Sequence, residues 1–536
     1  MIRIVPPVGP SAPYHKENPM LSVQNPFLFI LAGSLLAPAL SAPISITGRL
    51  VDESINPIGG GRVVVMASRL ATVTGNDGRF IVTDDDPALP FSSGRVPGRL
   101  SRMVKGRLVL TIPLDATPVR VETFAANGAR VFTAIEAVLA HGEYSLDPLP
   151  GPPASGAYVV RAAVGREIVA YRLMRAQGSA PASAAARTAT ALGKSAAVAA
   201  VLDSLEITAS GYTTARVMVE TMAGDIGDIV LSTTGGYSRV WLTNGTLTIM
   251  AYEPDATAGY YRSCRFDWAG IVAKAKIPGH TFFTEWKTPH DPMDTEGILG
   301  PAEEFGMDLP LGYNEVGSGG TFLKIGVGVL QRNSSSYFFG NNYTIADPGA
   351  WQITRGNRWI EFRHDVPTVR SWDYSYTKRL TLNNDTLIIA HTFTNTGTAA
   401  IATQVYSHNF IIIDDIDIGS GYAATLGFPP TVQPGASNMT TYTSIQGNVI
   451  SMTRTLIGAT SIWAVLTGYG SSASQNTATV RNATAAASVT FIGDLPLVKY
   501  QIWGTQHALS PEPFVDLSVA AGASKSWTNR LVFKTD

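Results

Sequence analysis

The sequence predicts an all-β protein built from several modules. Short runs that alternate apolar and polar residues, rich in Val, Ile, Thr and aromatics, recur along its 536 residues between Gly, Pro, Asn and Asp turn signals. Apolar residues at helical spacing are scarce, so strands carry most of the pattern. Hydrophobic residues make up 45% and charged residues only 15%, which allows sizeable cores and is too little charge for a solvated, disordered chain. A formal net charge of −1, without long basic or acidic blocks, argues against nucleic acid or an anionic membrane surface as partner. Cys264 is the sole cysteine, which excludes an intrachain disulfide and any metal site needing several thiolates.

Residues 1–42 read as a signal-peptide region. Residues 27–40, FLFILAGSLLAPAL, form an apolar run of h-region length, too short for a comfortable membrane span. Ala37-Pro38-Ala39 and Ala39-Leu40-Ser41-Ala42 offer small-residue cleavage patterns, and either Met1 or Met20 can be the start. No other stretch approaches the roughly 20 apolar residues of a transmembrane helix. The expectation is a secreted or periplasmic protein without a membrane span.

Residues 43–105 open with strand and turn patterns punctuated by Asn56-Pro57, Gly59-Gly60-Gly61 and the hairpin signal Asn76-Asp77-Gly78. They resemble the carboxypeptidase regulatory-like family, which implies a small β-sandwich without catalysis. Residues 106–175 read as a second small, Ig-like β module, and the Ser155-Gly156-Ala157-Tyr158 stretch resembles the closing hairpin of such modules. Residues 176–202, rich in Ala and Ser, read as a linker whose second half has helix-forming composition. Residues 203–234 return to β pattern as closing strands of an accessory module, with the sandwich begun at residue 44 a candidate.

Residues 235–536 form the largest β-patterned segment. Residues 386–394, TLIIAHTFT, turn at Asn395-Thr396-Gly397 and return as 401–413, IATQVYSHNFIII. Strand residues alternate faces, so Tyr406, His408 and Phe410 point the same way and suit the floor of a cleft for a sugar ring. The plainer alternative is a satisfied histidine on a half-buried strand. Near the C-terminus, SPEPF at 510–514 clamps Glu512 between two prolines, on a stiff, non-helical segment before a final strand pair.

Together these stretches resemble the galactose mutarotase (aldose 1-epimerase) superfamily over roughly 236–536. That family ends with a catalytic glutamate before a closing hairpin and carries an acid histidine in an Asn-His-aromatic context, where this chain has Ser407 before His408. The resemblance implies a β-supersandwich with Glu512 as base and His408 as acid. It further implies that Arg265, in GYYRSCRFDWAG, contacts the sugar from an early strand, and that His290 helps hold the ring-oxygen side. A surface ion pair between Arg265 and Asp267 is the competing expectation. Glu304, beside Glu303 and Phe305, is a candidate acceptor for sugar hydroxyls, with a solvated pair or a cation site as alternatives. Asp414, Asp415 and Asp417 read as a polar turn, with a metal site as the alternative, although the run lacks the full twelve-residue calcium loop. No metal and no cofactor are expected.

Anomer exchange needs a base on the anomeric hydroxyl and an acid at the ring oxygen. On this reading a carboxylate and an imidazolium stand on opposite sides of the ring, across one open cleft. Two alternatives stay open: a non-catalytic carbohydrate-binding protein, and a polysaccharide lyase or hydrolase on the same fold. In all three the partner is a mono- or polysaccharide, and oligomeric state leaves no trace in the sequence.

Overall fold

The computed structural model describes residues 44–83 apart from 67, the strands between 101 and 175, and residues 203–536 apart from 334 and 335. The expected signal-peptide region 1–42 and linker 176–202 lie outside the described residues.

The accessory half interleaves distant segments. Ser45–Val51 pairs antiparallel with Arg79–Thr83 and parallel with Ala223–Val230. The second sheet runs Ala215–Val219, Asp203–Thr208, Arg62–Val65, Ala71–Val73. Ile46, Leu50, Val63, Val65, Phe80, Leu205, Ile207 and Val217 form a buried core between them. Strands within 45–83 and 203–230 therefore build one sandwich, because each sheet takes strands from both. Arg49 and Asp228 close the parallel pair through a 2.7 Å ion pair. The Asn76-Asp77-Gly78 turn requires its glycine: φ is +74°, and a Cβ there would collide with the carbonyl of Leu50.

Between these segments lies a second module with a core of Leu108, Leu110, Val119, Val121, Val160 and Ala162. Its sheets are Ser101–Val104, Arg107–Ile112, Gly142–Leu146 and Glu167–Arg175, Gly156–Val164, Thr117–Ala125, Arg130–Leu139. The expected boundary at 105/106 falls too late, since Ser101–Val104 pairs with Arg107–Ile112.

The C-terminal half is a β-supersandwich. A six-stranded sheet runs Gly300–Phe305, Ile401–Phe410, Ala508–Val519, Lys499–Thr505, Ile462–Thr467, Thr431–Val432. A ten-stranded sheet packs against it, with Tyr374–Asn383, Thr386–Asn395, Ser524–Thr535 and Ala487–Gly493 as neighbouring strands near its centre. Alternation sends Phe305, Val405, Val515 and Leu517 of the first sheet into contact with Tyr376, Phe393 and Trp527 of the second.

A charged layer lies between the same two sheets. Lys378 Nζ stands 2.7 Å from Glu303 and 3.4 Å from Asp267. His391 Nε2 lies 2.9 Å from Glu303, and Asn529 Nδ2 donates to both Glu303 Oε1 and Ser407 Oγ. Burial alone would raise the Glu303 pKa, yet His391 and Lys378 outweigh it and lower the value. Glu303 is thus an interior ion and not part of a solvated pair. The opposite face of the six-stranded sheet carries the cleft.

Candidate active site

Strand register alone assembles the floor of this cleft. Ala302 lies opposite His408, Gln501 opposite Glu512, and Val465 opposite Gln501. His408 and Glu512 are themselves cross-strand neighbours, because the pairs Tyr406/Phe514 and Ile411/Leu509 bracket them in one register. Tyr406 and Lys499, both in register with Phe514, line the cleft on one side. Gly300, Phe410, Trp503 and Trp463, with Ser510 between, form the row on the other. Arg265, Trp286 and Phe339 rise over this floor and enclose a cleft of about 460 Å³.

Glu512 stands inside the strand Ala508–Val519 and not on a segment before the closing hairpin. Prolines are normally excluded from central strands because they cannot donate to the ladder. Here Pro511 and Pro513 share one face of the pleat, so both missing N–H groups fall on the same side. The ladder to Lys499–Thr505 is unbroken, whereas the ladder to Ile401–Phe410 stops at Tyr406/Phe514. Asn409 Nδ2 fills the gap by donating to Pro511 O at 2.9 Å.

The two candidate proton-transfer groups meet in this gap. His408 Nε2 lies 3.2 Å from Glu512 Oε1, and His408 Nδ1 lies 2.9 Å from Ser510 Oγ. Glu512 Oε1 has no partner in hydrogen-bonding geometry, so the approach is a contact short of a formed bond. The imidazole stacks on Phe410 at 3.8 Å and meets the edge of Trp503 at 5.2 Å. Burial drives both groups neutral. It pushes the Glu512 carboxyl up to about 8 against the opposing charge of Arg265. It pushes His408 well below 6.5, and Arg265 adds to the fall.

Arg265 occupies an irregular buried segment between Thr248–Tyr252 and Ile271–Ile277, not the strand expected for it. Its neighbours explain the shape. Tyr260, Tyr261, Phe266 and Trp268 are all buried, and the backbone bonds outward, with Asp267 N donating to Glu303 O and Trp268 N to Gly326 O. The guanidinium lies between the rings of Phe266 and Phe339, 4.4 and 4.3 Å from their centroids. Its Nε donates to Glu304 Oε2 at 2.9 Å and Nη2 to Tyr406 Oη at 3.1 Å. Asp267 pairs with Lys378 instead.

Glu304 lies beneath the cleft and not in it, fully buried, with Lys324 Nζ 2.9 Å away and the Tyr406 hydroxyl donating to it. Burial would raise its pKa; Lys324 and Arg265 reverse the sign and keep it ionised. It orients Arg265 and cannot meet a sugar hydroxyl.

The structure brings Arg265, Tyr406, His408, Phe410 and Glu512 to one cleft. It does not bring His290, which stacks on Tyr260 at 3.9 Å and bonds Tyr260 O through Nε2. Asp414 is likewise engaged elsewhere, with His280. Among the described residues no group of three or more His, Cys, Asp and Glu side chains could hold a metal.

Trp286, Phe339, Trp463, Lys499, Gln501 and Trp503 also line the cleft and were not singled out from the sequence. The signal for part of this set was present: Lys499, Gln501 and Trp503 alternate on one strand face, two polar groups and an indole where a core strand would carry aliphatics.

No protein-family model and no curated protein matches the chain. Among solved structures the chain is similar to a galactose mutarotase-like protein from Clostridium acetobutylicum, at 11% identity and TM-score 0.36, over 56% of this chain and 95% of that one. A galactose mutarotase related enzyme from Lactobacillus acidophilus gives 11% identity and TM-score 0.35, over 55% and 97%. An aldose epimerase homologue from C. elegans gives 13% and 0.32, over 56% and 99%.

Proposed function

We propose that the C-terminal half binds a sugar ring and interconverts the anomers of an aldose, with Glu512 and His408 acting as one proton-exchange pair. The observation that supports this is their 3.2 Å approach on the cleft floor, with both groups driven to their neutral forms. Side by side, they cannot flank a ring from opposite faces as expected from the sequence. They suit a different geometry, because the anomeric hydroxyl and the ring oxygen are both attached to one carbon.

The roles are also the reverse of those expected from the sequence, because burial favours a protonated carboxyl and a neutral imidazole: in the forward step His408 Nε2 takes the proton of the anomeric hydroxyl while the Glu512 carboxyl gives its proton to the ring oxygen. The bond from the anomeric carbon to the ring oxygen breaks and a carbonyl forms. The pair is left as imidazolium and carboxylate, and Nδ1–H donates to Ser510 Oγ throughout. Rotation of the aldehyde and reclosure on its other face return both protons. Every atom comes from the sugar and the two side chains. Arg265 supplies a fixed positive charge near the carboxylate formed in mid-reaction.

Polarimetry or NMR of freshly dissolved glucose and galactose tests this. His408→Ala and Glu512→Gln should each lower the rate above buffer by about 10²-fold or more, with sugar affinity retained through Arg265 and the aromatic walls. A second reading, sugar binding without catalysis, draws on the low exposure of the two side chains, 8% and 4%. On that reading wild type binds sugar yet adds nothing to the buffer rate. The apolar run at 27–40 supports export of the protein, and sequencing the mature N-terminus from culture fluid or periplasm tests that.

A further inference from the structure

The cleft floor is longer than one sugar ring. From the Glu512 strand to the Trp463 strand is two interstrand steps, about 10 Å at the usual spacing, and Trp503 stands between them. Trp463 and Trp503 are cross-strand partners, both half-buried, and both line the cleft. Trp286 stacks parallel to Phe410 at 5.5 Å and edge-on to Trp503 at 5.2 Å, which walls off the near end of this aromatic row. The row therefore runs outward from the proton-exchange pair and ends at Trp463. Trp503 touches His408, so it belongs to the first ring's surroundings; Trp463 shares no such contact and needs another explanation.

Resting on the function proposed above, we infer that the substrate is a reducing oligosaccharide. Its reducing ring lies over His408 and Glu512, and its next ring rests on Trp463. An indole face suits the C–H face of a pyranose, and the continuity of the row with the pair fixes where that second ring must lie. Gln501, facing the cleft between Glu512 and Val465, offers an amide that both donates and accepts, as hydroxyls flanking a glycosidic bond require. The residue that sets substrate length is Trp463, which takes no part in proton transfer.

Calorimetric or NMR titration of the full chain with glucose, cellobiose, maltose and lactose tests this, since all three disaccharides end in a reducing glucose. At least one disaccharide should bind ten-fold or more tighter than glucose. Trp463→Ala should abolish that advantage while leaving glucose affinity unchanged, which also shows that the variant is folded, and Trp463→Phe should restore part of it. Equal binding of glucose and all three disaccharides overturns the inference and spares the sugar site. So does an equal loss for glucose and disaccharide in Trp463→Ala. If 4-O-benzylglucose gains as much as the best disaccharide, the surface is a general apolar patch and the inference fails. Absence of binding by every sugar overturns the sugar site itself.

Discussion

Glu512 keeps a proton that most carboxylates lose well below neutral pH. Its pKa rises from 4.5 to about 8 on folding, so folding favours the protonated form. The stability tied to that proton is complete below pH 4.5 and is lost as pH rises through 8. His408 has the opposite sign: folding favours the neutral ring, so its contribution is present above pH 6.5 and lost at lower pH. Between pH 6 and 9 the Tm of wild type should fall, and Glu512→Gln, which cannot ionise, should flatten the fall. Turnover should decline through the same interval as the carboxyl loses the proton it donates; a rate still rising at pH 9 would contradict the roles assigned to the pair. Beneath the cleft, Glu304→Gln strands Lys324, which is fully buried. Loss of one partner from a buried ion pair costs about 3–5 kcal/mol, and urea unfolding should show it. A loss under 1 kcal/mol would mean that the Tyr337 hydroxyl, 3.1 Å from Lys324 Nζ, and the carbonyl of Gly306, 3.4 Å away, suffice without the carboxylate.

At the scale of single elements, Gly300 opens the strand that carries Glu303 and Glu304. Its φ is +71°, and a Cβ would overlap the carbonyl of Val272. Gly300→Ala should cost on the order of 2–3 kcal/mol through strain and displacement and should misplace Arg265 through Glu304. Unchanged denaturation midpoint and sugar affinity would refute this. The strands around the site were legible in the sequence, because a period of two survives in segments such as TLIIAHTFT and VYSHNF. The shared face of Tyr406, His408 and Phe410 came with it. Partners were not legible. Whether Arg265 meets Asp267 or Glu304 depends on which strand lies next to which, and alternation says nothing about that. Likewise the two prolines beside Glu512 signal a stiff extended segment, but only pairing reveals that their missing N–H groups open the ladder where His408 stands. His290 illustrates the reverse: its Pro-rich loop gave the right setting for a ligand contact, and the ring of Tyr260 took it.

For the molecule as a whole, the accessory sandwich is bound to the supersandwich by specific contacts. Glu220 accepts from Trp359 Nε1 at 3.0 Å and lies 3.7 Å from Arg379, which itself covers the Trp359 ring at 3.8 Å. A linker reading of residues 176–202 would by itself let a cut there release the C-terminal half. The strand exchange alters that expectation: an engineered protease site between 176 and 202, once cut, should leave two fragments that co-elute in size exclusion and part only in denaturant. Separate elution without denaturant would show that the parallel pairing of Ser45–Val51 with Ala223–Val230 is too weak to hold the halves.

That parallel pair also imposes a waiting time during synthesis. Ser45 meets Ala223, about 180 residues later in the chain, which at ribosomal rates of roughly 5–20 residues per second is a delay of roughly 10–35 s. Throughout it the first strands, among them the apolar RVVV of Arg62–Val65, have no completed sheet to join, while the intervening module has all the chain it needs to fold. The last sandwich strand to emerge therefore closes the one whose strands emerged first, and until then the nascent chain carries unpaired strand edges that a chaperone or a secretion channel would have to keep apart.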